Sequence, residues 1–175
     1  MNIDVLIEDS NWDNYKTGVI KDAVAAVLNF ISIKNSENTE ICFLCTNDAE
    51  IQVLNRTFRG LNKPTNVLSF PAHHDLEIND CCRDNCDHGC IDNYECSGEC
   101  HPSEDVLGSI AFAFETIYKE AKEQGKIFED HLKHLTVHSV LHLLGHDHHG
   151  DAEAEKMEEL EVKILASMDV ANPYQ

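Results

Sequence analysis

The order of apolar and polar positions predicts a short strand and then an amphipathic helix at the start of the chain. Residues 3–7 alternate between apolar and polar side chains, a period of two that is typical of a strand with one buried face. Residues 15–30 carry apolar side chains at helical spacing. The apolar run at residues 40–46 indicates a buried strand, in which we interpret Cys42 and Cys45 as small core residues.

A second helix and a third strand are indicated before the pattern stops. Asn47 followed three positions later by Glu50 is a signature of a helix N-terminus, and the helical spacing continues to about Phe58. A turn containing glycine and proline follows, and residues 66–70 then have the composition of a strand. Beyond Pro71 no period is visible until residue 107.

The C-terminal part of the chain returns to regular periods. Residues 107–114 indicate a strand and residues 115–124 a helix, which Gly125 ends. Residues 129–144 indicate a further helix. The closing helix has one apolar face with Glu at other positions, and that face is formed by Met157, Leu160, Ile164 and Met168. We therefore predict an α+β fold, a single small domain over residues 1–175 with one mixed β-sheet of about four strands covered by helices.

Residues 72–106 form an acidic, Cys-rich insertion within the predicted domain. They hold ten Asp and Glu against the single Arg83, so this segment contributes −9 to the net charge of −19. They also hold six cysteines and four histidines. The repeated C-x-x-x-C spacing differs from the C-x-x-C of zinc ribbons, so a second structural zinc is one hypothesis and a weakly structured acidic loop is the favoured one.

The overall charge limits the partners that the chain can bind. A net charge of −19 opposes broad, non-specific affinity for nucleic acid, which depends on Lys and Arg. Six cations are candidates for a local basic surface, although most are better interpreted as solvated positions: Arg56, Lys63, Lys119, Lys122, Lys126 and Lys133. The N-terminus lacks the basic region of a secretory signal, and no apolar run approaches the roughly 20 residues that span a bilayer. We therefore expect a cytoplasmic protein with reduced thiols and no membrane partner.

Histidines near residue 140 have the spacing of a metal site. His138 and His142 are four positions apart, so a helix places both imidazoles on one face. His134 lies about 12 Å from His142 along the helix axis. This is too far for both to bind one ion, because a ligand nitrogen lies about 2 Å from its metal. Gly145 allows the chain to turn after the helix.

The third ligand is expected beyond Gly145, from His146, His148 or His149. The spacing H-x-x-x-H-x-x-G-x-x-H favours His148, because one class of zinc proteases surrounds its metal in this way. That class carries a catalytic glutamate where this chain has Ser139, which argues against peptide hydrolysis. Three neutral imidazoles suit one zinc ion per chain, and they also suit nickel or copper. The fourth position stays open for water, as in catalytic sites.

Two separated segments resemble one family. The histidine motif, together with residues 54–71 (LNRTFRGLNKPTNVLSFP), is similar to the YbeY family of single-domain endoribonucleases. The resemblance places the metal ligands on His138, His142 and His148, and a functionally important arginine on Arg59. It implies single-strand-specific, metal-dependent cleavage in ribosomal RNA maturation at the 3′ end of the small-subunit RNA, and a part in ribosome quality control. It also implies contacts with the small ribosomal subunit and assembly factors.

Three positions depart from the pattern of that family. Ser139, Asn66 and Ser109 stand where the family usually has Gly, Asp and Asp, so two carboxylates are absent. Without the resemblance, Arg59 would be interpreted as a surface arginine near a helix C-terminus. Two other functions stay open as alternatives: a metal-dependent hydrolase of another substrate such as peptide, and a non-catalytic ribosome-assembly factor with a structural metal.

Overall fold

The elements of the fold follow the predicted order closely. The computed structural model describes residues 2–15, 17–31, 40–72, 106–146 and 150–174. Nearly all of the predicted insertion at 72–106 lies outside these residues, as does His148. The elements in chain order are β1 (Asn2–Ile7), a 3-10 turn (Ser10–Asn14), α1 (Gly18–Ile31), β2 (Glu40–Thr46), α2 (Asp48–Arg59), β3 (Val67–Pro71), β4 (Val106–Ala113), α3 (Phe114–Glu123), α4 (Phe128–Leu143) and α5 (Asp151–Ala166).

The four strands form one mixed sheet in the order β1-β2-β4-β3. β1 pairs with β2 and β2 pairs with β4, both in parallel, whereas β3 runs antiparallel to β4. Each parallel connection contains a helix, as parallel strands require. The predicted α+β class and mixed four-stranded sheet are therefore confirmed.

The two faces of the sheet bury different side chains, because successive residues of a strand point in opposite directions. Phe43 and Phe112 stack on the face that α1 and α4 cover, with ring centroids 6.0 Å apart. Leu68 of β3 packs with Ile51 of α2 on the other face. Cys42 is exposed, so its interpretation as a core residue was wrong, while Cys45 is buried as predicted.

A 3-10 turn that the periods did not reveal fixes the start of α1. Trp12 in this turn is fully buried and donates a hydrogen bond from Nε1 to the carbonyl oxygen of Thr46, 2.9 Å away. Asp9 caps the turn by accepting from the backbone N–H of Asn11. The helix therefore begins at Gly18, three residues later than the apolar spacing predicted.

Helix α4 lies against the sheet near the edge strand β3. Its Leu143 approaches Gly108 of β4 so closely that a Cβ atom on Gly108 would lie 2.9 Å from a Leu143 methyl carbon. The same added atom would lie 2.3 Å from the carbonyl oxygen of Phe70. The end of α4, the end of β3 and the start of β4 therefore meet at one place.

Within the described residues, no helix is long and apolar enough to cross a membrane.

Candidate metal centre

Helix α4 brings the two predicted ligands His138 and His142 together. Their Nε2 atoms lie 3.1 Å apart, and their ring centroids 4.6 Å apart. Both imidazoles are partly exposed, although most of α4 is buried. The helix geometry that the spacing predicted is therefore present, with the two Nε2 atoms facing each other.

Glu161 of α5 orients the first of these histidines. Its carboxylate is almost fully buried, and Oε1 lies 2.8 Å from Nδ1 of His138. An ionised carboxylate only accepts hydrogen bonds, so Nδ1 of His138 is the donor. In the neutral ring this leaves the lone pair on Nε2, the nitrogen that faces His142. Such a carboxylate–histidine pair is the usual support of a histidine that binds a metal.

The same carboxylate has two further partners, which keep it ionised. Oε2 of Glu161 lies 3.0 Å from Nε2 of His134 and accepts a hydrogen bond from the Tyr174 hydroxyl. Burial raises the pKa of Glu161, but the hydrogen bonds from His134, His138 and Tyr174 outweigh burial and hold the pKa at about 2. His134 is thus engaged with Glu161, one turn away from the ligand pair.

The donor set tests whether a metal fits. Two nitrogens bound to one zinc at about 2.0–2.1 Å with a tetrahedral angle lie about 3.3–3.4 Å apart. The separation of 3.1 Å between the Nε2 atoms of His138 and His142 is close to that value. Two ligands do not complete a site, and the described part of the chain holds no group of three or more His, Cys, Asp or Glu side chains arranged for an ion. The predicted third ligand, His148, lies outside the described residues.

A cavity of about 220 Å³ adjoins His138 between α4 and α5. His138 and Glu161 line it together with Met157 and Tyr174.

His146, one residue after Gly145, is half-buried, and its backbone N–H donates to the carbonyl oxygen of Leu141. The chain therefore turns after α4 at Gly145, which has a φ of +84°.

Arg59 belongs to helix α2, which packs on the face of the sheet opposite to α4. It is the last residue of α2 and is exposed. The preceding Phe58 contacts Phe70 of β3, with ring centroids 5.1 Å apart. The carbonyl of Phe70 in turn adjoins Gly108, which faces Leu143 next to His142. A short series of contacts around the end of β3 thus links Phe58, which precedes Arg59, to Leu143, which follows His142.

The three departures from the family pattern have different surroundings. Asn66 donates to both carboxylate oxygens of Glu120, at 3.0 and 3.2 Å, and Glu120 also contacts Nε2 of His131 at 2.9 Å. An aspartate at position 66 would repel that carboxylate. Ser109 is exposed on β4. Ser139 is fully buried, and its hydroxyl has no hydrogen-bond partner among the described residues.

Sequence reasoning missed Glu161 and Tyr174. It assigned the buried face of the last helix to apolar residues alone, with Glu at other positions. The structure places Glu161 on that face, because it lies four residues after the buried Met157 and three before the buried Ile164. A glutamate at a position where the helical spacing predicts a buried apolar residue is the sequence signal that would have identified Glu161.

Comparison with solved structures supports the fold. The solution structure of a Thermotoga maritima protein is similar to this chain with a TM-score of 0.54 and 21% sequence identity. The match covers 95% of this chain and 91% of that protein. At this identity the likeness bears on the fold alone.

Comparison of sequences bears on the family. An endoribonuclease YbeY from Nitrobacter winogradskyi is 40% identical over 158 residues, which cover 89% of this chain and 72% of the relative. An endoribonuclease YbeY from a Bradyrhizobium species is 40% identical over 98% of this chain and 90% of its own length. The family model described as endoribonuclease YbeY matches residues 6–169. The chain therefore belongs to the endoribonuclease YbeY family.

Proposed function

We propose that this protein is a single-strand-specific, metal-dependent endoribonuclease that acts in ribosomal RNA maturation, at the 3′ end of the small-subunit RNA, and in ribosome quality control. Membership of the endoribonuclease YbeY family supports an endoribonuclease role in ribosomal RNA processing. The observation that carries the metal dependence is the pair His138 and His142, whose Nε2 atoms lie 3.1 Å apart beside the buried carboxylate of Glu161.

His138, His142 and His148 are the proposed ligands of one ion per chain. Zinc is the metal that this donor set favours, and nickel or another transition metal binds the same ligands. A bound ion supplies a Lewis acid that polarises a phosphodiester and lowers the pKa of water. Glu161 holds Nδ1 of His138 protonated, so the ring presents its lone pair at Nε2.

Arg59 is the proposed residue for the phosphate. Its guanidinium offers a planar set of donors to phosphate oxygens, and it is exposed at the end of α2. The contacts through Phe58 and Phe70 bring this helix end to the same end of the sheet as α4. Stabilising the charge on a phosphodiester in its transition state is a role that a preorganised donor of this kind fulfils.

The partners follow from this function. RNA is the substrate, and the small ribosomal subunit with its assembly factors is the proposed setting, in the cytoplasm. The alternative of peptide hydrolysis lacks a general base at Ser139, which is buried. The alternative of a binding factor with a structural metal predicts RNA or ribosome binding without cleavage.

Cleavage of a single-stranded RNA by the metal-loaded protein tests the proposal. We expect the wild-type chain to cut the RNA, and His142→Ala and Arg59→Ala each to lose at least about a hundredfold in rate, which corresponds to about 2.7 kcal/mol in the transition state. Lys21→Ala, which removes an exposed cation on α1, serves as the matched control and should cut like the wild type. Equal rates for all four proteins would indicate a contaminating nuclease, and normal ribosome binding without cleavage would favour the binding factor.

A further inference from the structure

The end of α2 and the loop after it form an exposed segment in which apolar and basic side chains alternate along the sequence. We call it the helix-end surface. Its members are Arg56, Phe58, Arg59, Leu61 and Lys63. Phe58 is 65% exposed and Leu61 48% exposed. A phenylalanine this exposed is unusual for a residue that serves the core alone.

The charge of this surface is opposite to that of the chain as a whole. Residues 51–74 contain no Asp or Glu, in a chain that holds 32 of them, and they contain Arg56, Arg59 and Lys63. None of these three cations takes part in an ion pair within the part of the chain that the structure describes. The helix-end surface therefore offers unpaired positive charge to an anion in a protein that otherwise repels anions.

The ring of Phe58 is held in place without being covered. It meets Phe70 in a T-shaped contact, with centroids 5.1 Å apart and planes inclined at 67°. Such a contact uses the edge of one ring and a face of the other, so at least one face of Phe58 is left uncovered by Phe70. A fixed aromatic ring with an open face is what stacking on a nucleobase requires.

The loop after α2 is fixed to the helix, which makes the surface preorganised. Asn55 is buried and donates from Nδ2 to the carbonyl oxygen of Lys63 at 2.8 Å. Gln52 reaches Asn62 of the same loop at 3.2 Å. Gly60, with a φ of +71°, ends the helix and donates its N–H to the carbonyl oxygen of Arg56. A rigid surface loses less entropy when it binds a flexible strand.

From these observations we infer that the helix-end surface binds single-stranded RNA, with a base stacked on Phe58 and the neighbouring cations attracting the backbone phosphates. The identity of the strand as RNA rests on the proposed function. Phe58 precedes Arg59 in the sequence and contacts Phe70 near the end of β3, where Leu143 at the end of α4 also lies. A base on Phe58 therefore fixes the strand beside the phosphate that Arg59 contacts, and it makes Phe58 a positioning residue.

A protein partner is the competing occupant, and the observations favour RNA. An apolar patch for a protein partner is generally depleted in charge at its centre. Here Arg59 directly follows the exposed Phe58 in the sequence, and cations interleaved with an aromatic ring are the pattern of single-strand binding.

The test measures the binding of two single strands of equal length to the metal-loaded full chain. One strand carries bases and the other is abasic. Both are made of 2′-O-methyl nucleotides, so that binding is measured apart from cleavage. Phe58→Leu keeps an apolar contact with Phe70 but removes the aromatic ring. We expect it to weaken binding of the strand with bases about 5- to 150-fold, the range for loss of one base–aromatic stack, and to leave the abasic strand unchanged. Phe58→Tyr, which keeps an aromatic ring, should bind both strands like the wild type.

Two further variants separate stacking from general effects. Val53→Ala shortens another exposed apolar side chain of α2, 46% exposed, and should bind both strands like the wild type. Arg56→Ala should weaken both strands by the same factor and reduce the salt dependence of binding by about 0.7 in the logarithmic slope. Thermal unfolding of each variant checks that α2 is intact.

The outcomes of this test and of the cleavage test are distinguishable. If the wild-type protein cleaves RNA and Phe58→Leu binds the strand with bases as tightly as the wild type, the inference is overturned and the proposed function stands. Base-dependent binding through Phe58 in a protein that cleaves no RNA would support the inference and overturn the proposed function. Binding of neither strand by the wild type would overturn the RNA surface and favour a protein partner.

Discussion

Glu161 accepts a hydrogen bond from Nδ1 of His138 at 2.8 Å, and this contact between α5 and α4 decides which ring nitrogen of His138 carries the lone pair. Replacing the carboxylate by an amide, Glu161→Gln, retains the shape of the side chain but allows its NH₂ group to donate to Nδ1. The lone pair then no longer faces His142. We expect the affinity for zinc to fall about 10- to 100-fold, as measured by competition with a chelator of known affinity.

The control for this variant is Glu159→Gln on the same helix. Glu159 is exposed, and its carboxylate pairs with Lys163 at 3.3 Å on the surface of the helix. Its zinc affinity should equal that of the wild type. If Glu161→Gln also bound zinc with unchanged affinity, the carboxylate would have no part in orienting His138.

His134 should be dispensable for metal binding although it belongs to the same row of histidines. Its Nε2 atom contacts Glu161 at 3.0 Å instead of pointing at the ligand pair. We expect His134→Ala to retain about one zinc per chain with a modest loss of affinity, and His142→Ala to retain none. Metal analysis of the purified variants gives the two numbers, and a loss of zinc in both would place His134 among the ligands.

Restoring the carboxylate typical of the family at position 66 should destabilise this chain. Burial raises the pKa of Glu120, but the hydrogen bonds from His131 and Asn66 outweigh it and leave the pKa below its usual value. The network therefore stabilises the fold above the unfolded-state pKa, about 4.3, and this contribution is lost as the pH falls through the folded value. In Asn66→Asp a second carboxylate faces Glu120 and repels it while both are ionised.

We expect Asn66→Asp to lower the free energy of unfolding by about 1–3 kcal/mol at pH 7. The loss should be smaller near pH 4, where protonation of one carboxylate relieves the repulsion. Urea unfolding at the two pH values measures it. Ser109→Asp, the other family-like change, adds its charge at an exposed position and should stay within about 0.5 kcal/mol of the wild type. An equal loss at both pH values for Asn66→Asp would refute the electrostatic cause.

Gly108 is required where three elements meet. Its φ is +146°, and an added Cβ would lie 2.3 Å from the backbone oxygen of Phe70, an atom that cannot move aside without displacing β3. We expect Gly108→Ala to cost about 2–4 kcal/mol in the free energy of unfolding. Gly18→Ala is the matched control, because no atom lies within 4 Å of its added Cβ, and it should stay within about 1 kcal/mol of the wild type.

Much of the fold could be predicted from sequence because its signals are local. The strand at residues 40–46 and the N-terminus of α2 were correct to the residue: Asn47 accepts from the backbone N–H of Glu50 at 3.0 Å. The turn that holds Trp12 could not be predicted in this way. Trp12 is held by ring contacts with Phe114 and Phe128 and by a hydrogen bond to Thr46, 34 residues away. Such contacts between distant parts of the chain leave no period in the local sequence.

The candidate site was predictable to the extent that one helix builds it. The spacing of His138 and His142 fixed their relative geometry before any tertiary contact was known. Glu161 and Tyr174 come from other parts of the chain, and only the packing of α5 on α4 reveals them. The assignment of His148 as third ligand stays a prediction.

Removal and return of the metal tests the central claim most directly. Protein stripped with a chelator should lose cleavage of single-stranded RNA, and titration with zinc should restore the rate in proportion to bound metal until about one ion per chain is bound. His142→Ala, treated identically, should regain nothing. Full cleavage by the stripped protein, or recovery by His142→Ala equal to that of the wild type, would contradict a catalytic metal centre at these histidines.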